Sequence, residues 1–147
     1  MKPETFGILI GGLLPAVLFG FCNVVAKFGA QQGISAGAYM VIAGIGVTVS
    51  GAALWFTQSG GVPMTGSTIG FAFLYGMLWG ISSGLVMFAL LRYRVPMSKL
   101  VPLFNMNTLV SVALILWIFA EWQSVNVLKL LIGVIFVVLG GTLVALA

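Results

Sequence analysis

An all-α integral membrane protein with five transmembrane helices is the fold class this sequence predicts, and three observations carry that reading. Of the 147 residues, 61% are hydrophobic and 5% are charged, which leaves almost nothing for a water-facing surface. The mean hydropathy is +1.23. Five apolar runs come close to the ~20 residues that a helix needs to cross a bilayer, and short polar or glycine-containing stretches separate them. Helices are required, because isolated strands cannot satisfy their backbone groups in lipid. The chain, 1–147, therefore reads as a single transmembrane domain with no room for a soluble one. The expected setting is a cell membrane crossed several times, the bacterial inner membrane in particular.

Segment one covers about residues 5–29 and contains Pro15, which should kink it midway by removing a backbone donor. It is too long for a signal-peptide core and holds no small-residue cleavage site, so it is expected to remain as a helix. Segment two, about 35–57, follows the turn Gln31, Gln32, Gly33. The uncharged stretch from Ser59 to Ser67 is the one clear loop. Segment three, about 68–91, leads through the basic turn Arg92 to Lys99 into segment four, about 100–120. Glu121, Trp122 and Gln123 open the last loop, and segment five, about 127–147, is expected to close the chain without a tail.

An odd number of spans places the termini on opposite sides of the membrane. Two such units would then be related by inverted topology, the arrangement of many secondary transporters. Lys2 and Lys129 fall on one side, and Lys27, Arg92, Arg94 and Lys99 on the other. Two against four mildly favours an outside N-terminus and an inside C-terminus. If Lys27 is buried the bias falls to two against three, and insertion in both directions becomes an option. The formal charge of +4 is spread over segment ends and forms no basic groove, so no nucleic-acid partner is expected. Cys22 is the only cysteine and cannot form an internal disulfide; its reading is packing. Without histidine or aspartate, and with no nucleophile beside a base, neither a metal site nor an enzyme activity nor a cofactor is expected.

Glycines supply the candidate helix-packing surfaces. Gly76, Gly80 and Gly84 recur every four residues in segment three, a flat ridge on which another backbone can approach closely. Gly37, Gly44 and Gly51 recur every seven in segment two, as do Gly133, Gly140 and Ala147 in segment five. Glycine is also simply common in membrane helices. Segment five, nearly free of polar side chains, is the helix expected to pair with a second protomer.

Polar residues within the spans are the candidate substrate-binding set, because each is costly unless it faces protein or water. At about 100° per residue, Asn105, Asn107, Thr108 and Ser111 lie on one side of segment four, opposite Leu103, Met106, Leu109, Val110, Leu114 and Trp117. In segment three, Tyr75, Trp79, Ser82 and Ser83 recur at steps of three and four. In segment one, Gly20, Asn23 and Lys27 share a stripe. Together these would line a cavity with aromatic walls and few polar groups, of the kind that holds small organic ligands. Two alternatives stay open. The Asn and Ser side chains can join neighbouring helices by hydrogen bonds, and Lys27 can snorkel to the interface. Glu121, beside Trp122, reads as an interfacial anchor.

The run from Pro15 through Gly20, Phe21, Cys22 and Asn23 to Lys27 resembles the opening helix of the EamA-like drug/metabolite transporter superfamily, in which an aromatic-glycine pair precedes a polar residue and often a lysine. Ser98 through Pro102, Asn105, Asn107 and Thr108 to Glu121, followed by the helix of Gly133 and Gly140, is similar to the last two helices of that repeat. The resemblance spans essentially the whole chain and rests mainly on the order and spacing of the five segments. It implies one repeat of a fold that usually contains two, arranged as an inverted pair around a central site with alternating access. The partner would be a second copy in a homodimer, antiparallel where the copies insert oppositely, or a related half-transporter in a heterodimer. The four-span small multidrug resistance relatives use a carboxylate buried in the first helix. Here that helix has only Glu4 at its start, which argues against proton-coupled cation export by that route.

The expected function is a transporter subunit for a small uncharged or zwitterionic metabolite, held mainly by segments one, three and four. The alternatives are a non-transporting membrane subunit that stabilises a larger complex, and a lipid-headgroup flippase.

Overall fold

The computed structural model describes the backbone of residues 3–58 and 64–146. Lys2, Ala147 and the Ser59 to Pro63 part of the expected loop lie outside the described residues. Among those described, the fold is entirely helical, and five helical segments are long and apolar enough to cross a membrane. Packing divides the chain into two compact units, Met1–Arg94 and Val95–Ala147.

In the first unit, α1 (Pro3–Ile8) runs into a π-helical turn (Leu9–Leu13) and then α2 (Leu14–Gln31). The irregularity expected at Pro15 thus takes the form of a widened turn just ahead of it. An α-helical path would press the pyrrolidine ring against the carbonyl four residues back, at Gly11. The wider turn, in which the Leu14 N–H donates to the Leu9 carbonyl, relieves that crowding. α2 closes on Gly33, whose φ of +77° suits a residue without a Cβ. Ser35 then caps α3 (Ala36–Thr57), its Oγ accepting from the Ala38 N–H at 3.2 Å.

α4 (Gly66–Arg92) begins two residues earlier than the apolar pattern suggests. The cause is a reciprocal cap. Thr65 Oγ1 accepts from the Thr68 N–H at 3.4 Å, and Thr68 Oγ1 accepts from the Thr65 N–H at 3.0 Å. α4 packs on α3 and on α2. At its far end Phe88 and Tyr93 meet edge to face, with centroids 5.9 Å apart. The basic turn is shorter than expected, because α4 takes in Arg92 and the next helix starts at Met97.

The second unit departs most from expectation. Segment four is two helices, α5 (Met97–Asn105) and α6 (Asn107–Ile118), separated at Met106. Around the break the bonding tightens to three-residue steps: Met106 N–H donates to the Leu103 carbonyl at 3.2 Å, and Leu109 N–H to the Met106 carbonyl at 3.0 Å. Pro102 already removes one donor from α5. Asparagines at 105 and 107 are weak interior helix formers because their amides compete for backbone partners. The segment stops at Ile118, and Ala120 turns into the left-handed region at φ 54° before the 3-10 turn Glu121–Gln123. Asn126 Oδ1 accepts from the Lys129 N–H at 3.0 Å, and α7 (Val127–Leu146) follows.

α7 lies chiefly along α5 and touches α6 less. Its close approach is at Gly141, a position outside the seven-residue repeat. A Cβ there would sit 3.2 Å from the Pro102 carbonyl oxygen, whereas at Gly133 and Gly140 it would meet nothing within 4 Å. Gly141→Val is therefore expected to lower the stability of this unit by about 1–3 kcal/mol through overpacking. Gly140→Ala should be neutral or stabilising by up to about 1 kcal/mol through helix propensity. Thermal midpoints of the two variants in detergent check this, and equal midpoints would remove Pro102 as the constraint.

Apolar surface dominates the outside. Among the described residues only Met87, Met97 and Val134 are buried hydrophobics, and the most apolar stretches of the first, second and fourth spans contain no buried residue at all.

Candidate functional site

On α2, Asn23 is half-buried and Lys27, one turn on, is exposed. On α4, Tyr75 and Trp79 stand one turn apart, 72% and 39% exposed. Ser83 is half-buried on the same stripe. Ser82 is exposed and returns its hydroxyl to its own helix, donating to the Leu78 carbonyl at 2.8 Å. That bond satisfies the group without any ligand.

The glycine ridge of α4 is open along most of its length. A Cβ at Gly84 would lie 3.7 Å from Met40 Cγ of α3, while at Gly76 and Gly80 it would meet nothing within 4 Å. Gly76, Trp79 and Gly80 instead form one side of a groove of about 370 Å³, and Met40, Val41, Gly44 and Val47 of α3 form the other. The α3 wall carries no polar side chain, so only the Gly44 spacing marked it in the sequence.

In the second unit, Asn105 ends α5, and Asn107, Thr108 and Ser111 begin α6. All four are exposed. Thr108 Oγ1 donates to the Asn105 carbonyl at 2.9 Å, across the break. Among the described residues, the side chains of Asn23, Ser83, Asn105, Asn107 and Ser111 have no hydrogen-bond partner, nor do Tyr75 and Trp79. The expected division of segment four into one wet and one greasy face needs a correction. Met106 interrupts the helix, so a constant 100° per residue does not carry from Asn105 to Asn107. The stripe that does hold together is on α6, where Asn107 and Thr108 lie four and three residues before Ser111.

Asn105 and Asn107 thus bracket a point where the backbone leaves its regular ladder. Amide side chains there offer both donors and acceptors, which suits a ligand with paired polar groups and no net charge. Cys22 and Glu121 are both exposed. No protein-family model matches the chain, nor does any curated protein or any solved structure.

Proposed function

We propose that the chain is a multi-pass membrane protein that acts as half of a transporter of the EamA-like drug/metabolite type. A second copy or an oppositely inserted relative completes it, and it carries a small uncharged or zwitterionic solute by alternating access. The membrane part of this reading is supported by five long helices whose Leu, Ile, Val and Phe side chains are largely exposed. Water is a poor solvent for so much contiguous apolar surface, and lipid is a good one.

The transport part is carried by one observation. Asn105, Asn107 and Ser111 are exposed and unpartnered within a segment of mean hydropathy 1.8. Polar side chains facing hydrocarbon without partners are strongly disfavoured, so these groups call for water, a solute or another chain against them. The break at Met106 adds to this, because irregular backbone at membrane depth is tolerated where it lines a cavity or is covered by protein. Pro102 and the π-helical turn before Pro15 supply points at which helices can bend between inward and outward states.

Solvent access tests this reading. Single cysteines at Ser83, Asn107 and Ser111, on a Cys22→Ser background, should react with a membrane-impermeant maleimide in sealed vesicles. A cysteine at the lipid-type position Phe136 should stay inert. If the polar-stripe cysteines are as inert as that control, the groups are helix-packing contacts and the chain is a non-transporting membrane subunit.

A further inference from the structure

α5 and α6 belong to one apolar segment, yet the second unit holds them very differently. α5 packs on α7, with Met97 buried and Leu100, Val101, Pro102 and Phe104 half-buried. α6 has no buried residue, and of its 12 residues only Val112 and Leu116, one turn apart, are half-buried. α7 touches it less than it touches α5. A helix with so few buried apolar contacts belongs to the least stable part of a fold. Lipid tails are as apolar as its own side chains, so no hydrophobic force ties α6 to one position.

The boundary between the held part and the loose part is Met106. A Cβ at Gly141 would sit 3.2 Å from the Pro102 carbonyl oxygen and 3.8 Å from Met106 Cγ. The α7 backbone thus clamps the end of α5 at both residues. Whatever bend Pro102 introduces is released one turn later, where the bonding tightens to three-residue steps. The other end of α6 is a joint as well. Phe119 lies outside the helix, and Ala120 takes φ 54° and ψ 31°. That conformation is costly for a residue with a Cβ, and element ends of this kind absorb the backbone change of a hinge. α6 is therefore a regular rod, about 18 Å long, between two joints.

We propose that α6 is a moving half-helix, which pivots as a rigid body between Met106 and Ala120 while α5 stays fixed on α7. A change of about 20° in the bend at Met106 carries the far end of the rod about 6 Å. Asn105 stays with the fixed part, and Asn107 and Ser111 move with the rod, so the swing changes the spacing of the two amides. Its use as a gate rests on the transport reading above; the motion itself rests on the packing of this unit.

The test uses the full chain on a Cys22→Ser background, reconstituted in vesicles and diluted with unlabelled protein so that distances within one chain dominate. Spin labels on cysteines at Leu114 and Leu131, exposed on α6 and α7, read the swing. Labels at Leu103 and Leu143, exposed on α5 and α7, read the clamped pair. Pulsed electron paramagnetic resonance is expected to give the first pair a distribution spread over about 6 Å, and the second a single narrow peak. Pro102→Ala with Asn105→Ala and Asn107→Ala restores the missing donor and supplies better helix formers. That variant should collapse the first pair to one narrow peak. If it does not accumulate, the comparison of the two pairs without it decides. Equally narrow pairs, equally broad pairs, or a breadth that survives the straightened variant would overturn the proposal. The distances are read without solute. A chain that moves no solute but keeps the broad first pair loses the transport reading and retains the hinge, whereas a narrow first pair in a chain that transports removes the hinge alone.

Discussion

Leucine at both Asn105 and Asn107 is expected to abolish solute movement while leaving the protein in the membrane. Each replacement removes an amide that would pair with the solute and leaves the solute's own polar group unpaired in a dry site, at a cost of about 1–3 kcal/mol. At about 1.4 kcal/mol per tenfold, the double variant should lose roughly thirtyfold or more in uptake. Insertion moves the other way, because leucine at the middle of a span is favourable by a few tenths of a kcal/mol. Thr108→Val is the matched comparison. Its hydroxyl is already bonded to the Asn105 carbonyl, so it should cost far less than either asparagine. The measurement is uptake into reconstituted vesicles, from a panel of uncharged and zwitterionic metabolites, of whichever compound the wild type moves. Undiminished uptake by the double variant would exclude these residues from the solute path.

The large features of the fold are legible because they are local. Apolar runs mark the five helices, Ser35 and Gly33 mark the turn between α2 and α3, and Pro15 marks the irregularity in segment one. Even there the pattern locates a feature better than it describes it. Pro15 points to a kink, and the chain answers with a widened turn ahead of the ring. The start of α4 is shifted because its cap pairs Thr65 with Thr68, where the usual signature has Glu or Gln at the third position. The break at Met106 is less visible. Apolar periodicity continues across it, and only the coincidence of Pro102 with two asparagines hints that the backbone leaves its ladder.

The candidate surfaces divide in the same way. Polar residues inside apolar spans stand out by chemistry, which is why Asn23, Tyr75, Ser83, Asn105, Asn107 and Ser111 are identifiable from the sequence. Which of them already have partners is not, since the Ser82 and Thr108 bonds depend on rotamers. Met40, Val41 and Val47 are ordinary apolar residues, and only the register between α3 and α4 sets them opposite Gly76 and Gly80. Gly141 illustrates the same limit. It lies beside Gly140 in sequence, yet the packing of α7 on α5 brings position 141, and not 140, against the Pro102 carbonyl.

Neutralising Arg92 and Arg94 together, as glutamines, is expected to redistribute the protein between its two orientations. The sequence places Lys27, Arg92, Arg94 and Lys99 on one side and Lys2 and Lys129 on the other, so the double variant changes four against two into an even balance. Each basic residue near the cytoplasmic surface is worth about 1 kcal/mol. Removing two should therefore shift the ratio of orientations by roughly thirtyfold, at about 1.4 kcal/mol per tenfold. Reporters active on opposite sides of the membrane, fused after Ala147, read that ratio directly. A wild type that lights both reporters, and a variant that swings toward the outside one, would mean that a single chain supplies both halves of an inverted pair. A wild type fixed in one orientation, with a variant that does not move, would exclude the antiparallel homodimer. The exposed amides on either side of Met106 would then have to be matched by a different, oppositely inserted protein, because an isolated half-site leaves Asn105 and Asn107 facing hydrocarbon without partners.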